Sequence, residues 1–208
     1  MKNSVKNRVK NAVKQWILGP LALVLVLIVA LTLTAGPADA GSLGFFVTSY
    51  APDDADADAG VGFDFEFGSG PTQFEMRISL YNELITDPNP DVFNVEAIPV
   101  DFGVNRSFGG GQTVTPYFGG GITYAIFDFS FDTTTSAGPP RGVDIDPEIG
   151  FYVQIGLELE INQTWQAFAE VLYRQLDAEI EGDDLGLPID QELSMTGPAF
   201  NLGLAVRW

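Results

Sequence analysis

Residues 148–161, EIGFYVQIGLELEI, decide the fold. Ile149, Phe151, Val153, Ile155, Leu157, Leu159 and Ile161 fall on one phase of a period of two. Glu148, Gly150, Tyr152, Gln154, Gly156, Glu158 and Glu160 fall on the other. A helix would wind those glutamates through its apolar stripe, so the pattern predicts a strand with one apolar face and one charged, small-residue face. Strands in soluble domains run to about 5–6 residues. One of this length, with two such faces, suits a chain that crosses a bilayer at a tilt.

The same alternation recurs on both sides of it. The expected strands upstream are 42–50, 60–67, a segment with Phe74, Met76, Ile78 and Leu80 on its apolar face, 93–105 and 114–131. Downstream come 165–178 and a last strand that ends the chain, with Phe200, Leu202, Leu204, Val206 and Trp208 opposite Asn201, Gly203, Ala205 and Arg207. Pro99 cannot donate to a ladder, which predicts a bulge there. In 114–131 the apolar phase moves from Ile126 to Phe127, Phe129 and Phe131, which predicts a second bulge. Turns at 68–71, 107–112 and 162–164 are short, whereas 51–59, 86–92, 132–147 and 181–194 read as longer polar loops. Short connections at one end and long ones at the other describe an all-β, eight-stranded antiparallel up-and-down transmembrane barrel with both termini on the periplasmic side.

Residues 1–40 read as a cleavable secretory signal, with 41–208 as the barrel domain. Lys2, Lys6, Arg8, Lys10 and Lys14 precede an apolar run from Ile17 to Leu33, and Ala38-Asp39-Ala40 matches a small-x-small cleavage site. The alternative is an uncleaved anchor, since that run is near the length a spanning helix needs. Export through the Sec route to the outer membrane of a Gram-negative-type bacterium follows from the signal and the barrel together.

Eight strands also build soluble ligand-binding barrels. Side-chain bulk argues against one here. An eight-stranded barrel has an interior just wide enough for side chains to fill. The apolar set is Phe, Ile, Leu and Val, whereas the polar set is interleaved with Gly, Ala and Ser. The polar set is the one that fits a crowded lumen. Tyr124, Phe127, Tyr173 and Trp208 are expected to form interfacial aromatic girdles, with Trp165 and Tyr50 as weaker candidates.

Residues 115–124 (TPYFGGGITY) resemble the Pro-Tyr-x-Gly-x-Gly strand of the eight-stranded OmpA-type outer-membrane β-barrel family. Residues 200–208 (FNLGLAVRW) resemble its Asn-x-Gly-x-x-x-Arg-aromatic ending. The resemblance covers essentially all of 41–208. It implies a cell-envelope, porin-like barrel in contact with outer-membrane lipid and lipopolysaccharide. It also implies that Phe200, Leu202, Leu204, Val206 and Trp208 form the signal read by the outer-membrane assembly machinery. Full-length OmpA proteins continue into a peptidoglycan-binding domain; this chain stops at Trp208, and none is expected.

Composition narrows the function. Cysteine and histidine are both absent, which removes thiol chemistry and the commonest general base and metal ligand. Barrel-shaped lipid A deacylases, acyltransferases and proteases depend on histidine, so a Ser–His mechanism is excluded and no enzyme is expected. From Gly41 onward the chain holds five arginines and no lysine against 27 of its 28 acids, which leaves about −22. No basic patch for nucleic acid exists.

No catalytic, cofactor or metal site is expected. The DDADAD tip at 53–58 has oxygens at alternate positions, but it lacks the mid-loop Gly and closing Glu of a calcium hand. Diffuse binding of divalent cations at acidic loops is the expectation. The inward phase supplies a lumen charge network of Asp64, Glu66, Glu75, Arg77, Glu83, Asp101, Glu158, Glu160, Glu170 and Arg174. Buried carboxylates must pair, take a proton or meet water, and Arg77 and Arg174 are the natural hubs.

The expected function is therefore a small outer-membrane barrel with a side-chain-filled lumen and a structural or interaction role through acidic extracellular loops. A narrow cation-selective pore or small-solute transporter is the alternative, ahead of a soluble periplasmic ligand-binding barrel.

Overall fold

The computed structural model describes residues 41–53, 56–68, 70–86, 93–109, 113–131, 141–145, 147–184 and 187–208. The signal segment, with Ala38 and Ala40, lies outside the described residues. The strands are β1 (Gly41–Tyr50), β2 (Asp58–Phe67), β3 (Thr72–Thr86), β4 (Phe93–Ser107), β5 (Val114–Phe131), β6 (Arg141–Ile145), β7 (Glu148–Glu160), β8 (Trp165–Gln175), β9 (Asp177–Asp184), β10 (Leu187–Ser194) and β11 (Gly197–Arg207). Eight of them close a barrel in the order β1-β11-β8-β7-β5-β4-β3-β2, every pair antiparallel. Closure leaves no sheet edge exposed to lipid. The seam is the pairing of the first and last strands, from Ser42 opposite Arg207 to Tyr50 opposite Ala199.

The apolar phase faces out. On β7, Ile149, Phe151, Val153, Ile155 and Leu157 are all exposed, Ile155 at 65%, while Gly150, Tyr152, Gln154 and Gly156 are buried. A soluble ligand-binding barrel would need the opposite arrangement, so that reading is overturned. Tyr124, Tyr173, Trp165 and Trp208 stand on the outer face, as girdle residues must. Tyr50 and Phe127 do not. Tyr50 is buried inside, and Phe127 packs from within against the buried cluster of Tyr50, Ala97, Ala125 and Leu172.

Chain direction reverses tightly at the end where β1 begins and β11 ends. Gly70 and Gly109 adopt φ of +89° in two of these turns, a region open to glycine at little cost. In the third, Asn162 Oδ1 accepts from the backbone N–H of Thr164 and Trp165, both at 2.9 Å.

The opposite end differs from expectation. Residues 141–145 and 181–194, read as loop, contribute to a second, three-stranded sheet in the order β10-β9-β6. There Glu181 stands opposite Asp190 on one side and Asp144 on the other, while Ile180 stands opposite Gln191 and Ile145.

Neither expected bulge is found where it was placed. The β4–β5 ladder runs without a register shift from Phe93↔Phe131 to Ser107↔Tyr117, through both Pro99 and Phe127. Proline forfeits one ladder bond, and the pairs around it hold the strand in register. The shift lies in β3, between Tyr81 and Leu84.

Candidate functional site

The inward phases of the eight strands meet in the lumen, where two arginines organise everything else. Arg77 rises from β3 and is 1% exposed. Its Nη1 lies 2.7 Å from Glu170 Oε1 and donates to Gln154 Oε1 at 2.8 Å. Its Nη2 donates to Glu170 Oε2 at 2.9 Å and pairs with Glu75. A planar guanidinium suits such multiple grips, because its donors form a rigid fork. The carboxylates are held from behind as well. Tyr117 donates to Glu170 at 2.7 Å and Asn201 at 2.5 Å. Gln154 Nε2 donates to Glu75 at 2.6 Å and to Asn105 Oδ1 at 2.6 Å.

Toward the termini, Glu66 accepts from Ser42 and Asn105, both at 2.9 Å. Phe46 lies between, with Arg77 5.5 Å above its ring and Phe168 edge-on at 6.2 Å. Toward the long-loop end, Arg174 of β8, 0% exposed, grips Asp101 of β4 through Nη2 at 2.6 Å and Nε at 3.3 Å. Thr123 donates to the same carboxylate at 2.6 Å. Arg174 also stacks 5.4 Å over Tyr50, whose hydroxyl donates to the Met195 carbonyl. Beyond this level the interior turns apolar, with Leu172, Leu176, Met195 and Ala199 closing over Tyr50 and Tyr81.

Glycines make the room for these groups. A Cβ on Gly156 would lie 2.3 Å from the Tyr117 ring, and one on Gly103 would lie 2.1 Å from the Tyr152 hydroxyl. The alternation of glycine with polar residues is thus a packing requirement of the lumen.

Of the residues expected in the network, Asp64, Glu66, Glu75, Arg77, Asp101, Glu170 and Arg174 are buried inside the barrel. Glu158 is half-buried near the termini. Glu160 is a correction: it is exposed at the rim, where it pairs with Arg207 at 3.4 Å. Glu83 lies in β3, and its side chain is outside the described set. Of the residues named as an assembly signal, Phe200, Leu202, Leu204 and Trp208 are exposed on the outer wall and Val206 is half-buried. Reading charge alone missed Ser42, Asn105, Tyr117, Thr123, Gln154 and Asn201. Each occupies an inward phase of its strand, which is the signal that finds them.

The balance of charge is uneven. Among the described residues, five buried carboxyl groups, Asp64, Glu66, Glu75, Asp101 and Glu170, face two guanidinium groups. Asp64 Oδ1 has no hydrogen-bond partner among the described residues, nor has Arg77 Nε, although the two residues stand opposite each other on β2 and β3. No group of three or more acids among the described residues is placed to hold a metal ion.

No curated protein matches the chain in sequence. Solved structures do match in shape. OprG from Pseudomonas aeruginosa is 16% identical, with 82% of this chain and 95% of that one covered at a TM-score of 0.71. E. coli outer membrane protein W is 17% identical, covering 81% and 98% at 0.55. AlkL, solved in DMPC bilayers, is 17% identical, covering 82% and 89% at 0.56. At such identities the likeness establishes the fold. Residues 21–207 match the outer membrane protein beta-barrel domain. This chain belongs to that family and is an outer-membrane β-barrel protein.

Proposed function

We propose that this barrel is closed to through-flow by its own side chains and acts through its long-loop end as a structural and interaction protein of the cell surface. The supporting observation is the bridge from Arg77 on β3 to Glu170 on β8, strands on opposite sides of the barrel, reinforced by Gln154, Glu75 and Tyr117. Buried groups satisfied in this way leave little reason to move. The long-loop end is acidic. Its strands are rich in acids, with Glu179, Glu181, Asp183, Asp184, Asp190 and Glu192 in β9 and β10, suited to divalent cations that bridge to lipopolysaccharide. Both termini are read as periplasmic, after Sec export and delivery by the assembly machinery through the β11 ending. Single-channel recording on purified protein in planar bilayers tests this reading. The expected result is no steady conductance.

A second reading, a narrow cation-selective pore, is favoured by one observation: five buried carboxyl groups against two guanidiniums among the described residues. Steady cation-selective openings in the same recording would establish it in place of the first.

A further inference from the structure

Near the end where β1 begins and β11 ends, the apolar outer wall carries a charge. Arg106, the last residue but one of β4, is exposed and keeps the outward phase of Phe102 and Val104. Among the described residues it is the one charged side chain of that phase in this half of the wall, and no carboxylate pairs with it. Arg106 stands between Thr72 of β3 and Phe118 of β5, and its Nη1 donates to the Thr72 hydroxyl at 3.2 Å. One step further from the rim, Val104 stands between Phe74 and Gly120. Two stacked ring pairs border the place, Phe67 with Phe74 at 5.5 Å and Phe108 with Phe118 at 5.4 Å. Phe74 and Phe118 are 56% and 53% exposed, so their rings stand up from a wall that Val104 and Gly120 leave low.

We propose that this place seats one glycerophospholipid, its phosphate on Arg106 and Thr72 and an acyl chain along Val104 and Gly120. A guanidinium facing lipid is costly at the bilayer midplane and nearly free at headgroup level. Arg106 is at the rim, since the backbone N–H of its neighbour Ser107 donates to Pro71 in the adjacent turn at 2.8 Å. Its position therefore marks the level of the phosphates. A guanidinium fork takes phosphate oxygens through parallel hydrogen bonds. Thr72, whose oxygen accepts from Arg106, keeps its own O–H to donate to the same phosphate. The choice of a glycerophospholipid over lipopolysaccharide rests on reading this end as periplasmic.

The test is native mass spectrometry of the protein purified from outer membranes in detergent, incubated with equal amounts of phosphatidylethanolamine and diacylglycerol of identical chains. Neither lipid carries net charge, so the acidity of the barrel does not decide between them. One phosphatidylethanolamine per chain is expected to survive, at about tenfold preference. Arg106→Gln should abolish the preference. Arg207→Gln, at the same rim but opposite Ser42 on the lumen phase, should keep it. Both variants are read on barrel that shows the heat-dependent mobility shift in gels. Equal retention of the two lipids by the wild type overturns the proposal, as does a preference that survives Arg106→Gln. The leaflet is read separately in cells. The chain has no cysteine, so Thr164→Cys puts a single thiol in the turn between β7 and β8 at this end. A membrane-impermeant maleimide should leave it unlabelled in intact cells. Labelling would place this end outside and overturn the glycerophospholipid in favour of lipopolysaccharide, even where the preference for phosphate holds.

Discussion

Arg77 and Glu170 meet across the full width of the barrel, with Nη1–Oε1 at 2.7 Å and Nη2–Oε2 at 2.9 Å. Their strands, β3 and β8, are four apart in either direction around the wall, so this contact is a diameter and not a chord. Arg174 and Asp101 make a second crossing, from β8 to β4, one level nearer the long loops.

Removing the hub should cost more than removing the whole network. Arg77→Ala leaves Glu75 and Glu170 without their guanidinium, and breaking one partner of a buried pair costs about 3–5 kcal/mol. The triple variant Arg77→Met, Glu75→Gln, Glu170→Gln takes the charges out together and should recover much of that loss. Urea-dependent unfolding in detergent micelles, read as loss of gel mobility shift, checks the order.

The second crossing can be measured as a coupling. Arg174→Gln and Asp101→Asn each break the same two hydrogen bonds, so their effects should overlap. A double-mutant cycle is expected to return an interaction of about 1–3 kcal/mol. Additive costs would mean that the pair contributes nothing as a pair.

Gly156→Val should disturb the centre of the lumen from the wall. Its Cβ would meet the Tyr117 ring at 2.3 Å, and Tyr117 is the group that holds Glu170 at 2.7 Å. Overpacking of this kind costs about 1–3 kcal/mol. Adding Tyr117→Phe to Gly156→Val keeps the ring and should not relieve the clash, whereas adding Tyr117→Ala should. The same urea series reads all three variants.

A charge on the outer wall tests which side meets lipid. Ile155→Arg places a guanidinium among Val171, Phe200 and Leu157 and should destabilise the folded barrel by about 2–4 kcal/mol in bilayers. Glu160→Arg at the rim should change stability little. Equal effects would argue against a lipid-facing position for Ile155.

The last residue can be tested in cells. Trp208 exchanges backbone hydrogen bonds with Gly41 at 3.3 and 3.1 Å, and its ring lies 6.2 Å from Phe65. Deleting Trp208 should sharply lower the amount of heat-modifiable barrel in outer membranes, while barrel refolded in detergent should still close through the remaining pairs of the seam. Normal amounts in membranes would remove Trp208 from any assembly signal.

Alternation made most of this legible. Period two in β7 separates Ile155 from Gln154 without any structure, and the same count places Arg77, Asp101, Glu170 and Arg174 inside. It misled where the interior changes character. Phe127 was assigned to the wall because it is apolar, yet it keeps the inward phase of Thr123 and Ala125. Above the level of Arg174 the inner face itself becomes apolar, so polarity no longer marks the inside.

The β9–β10 hairpin was hidden by its acids. Asp177, Glu179, Glu181 and Asp183 alternate with Ala178, Ile180 and Gly182, the two-faced pattern that identifies β7, but a run of charge reads first as solvated loop. Which inward groups pair is a property of shear and register. Gln154, reaching both Arg77 and Glu75 from β7, has no mark in the sequence beyond its phase.

The seam between Gly41 and Trp208 sets the order of events during folding. β1 finds β2 as soon as both exist, but its other edge must wait for the final strand of the chain. Until then an unpaired row of backbone groups on β1 is open to any strand that reaches it, and the last contact to form is also among the most distant in sequence, the slow kind. A chain built this way is most at risk of joining a neighbour while it is one strand short. Whatever guards that open edge of β1 therefore decides whether it becomes a barrel or an aggregate.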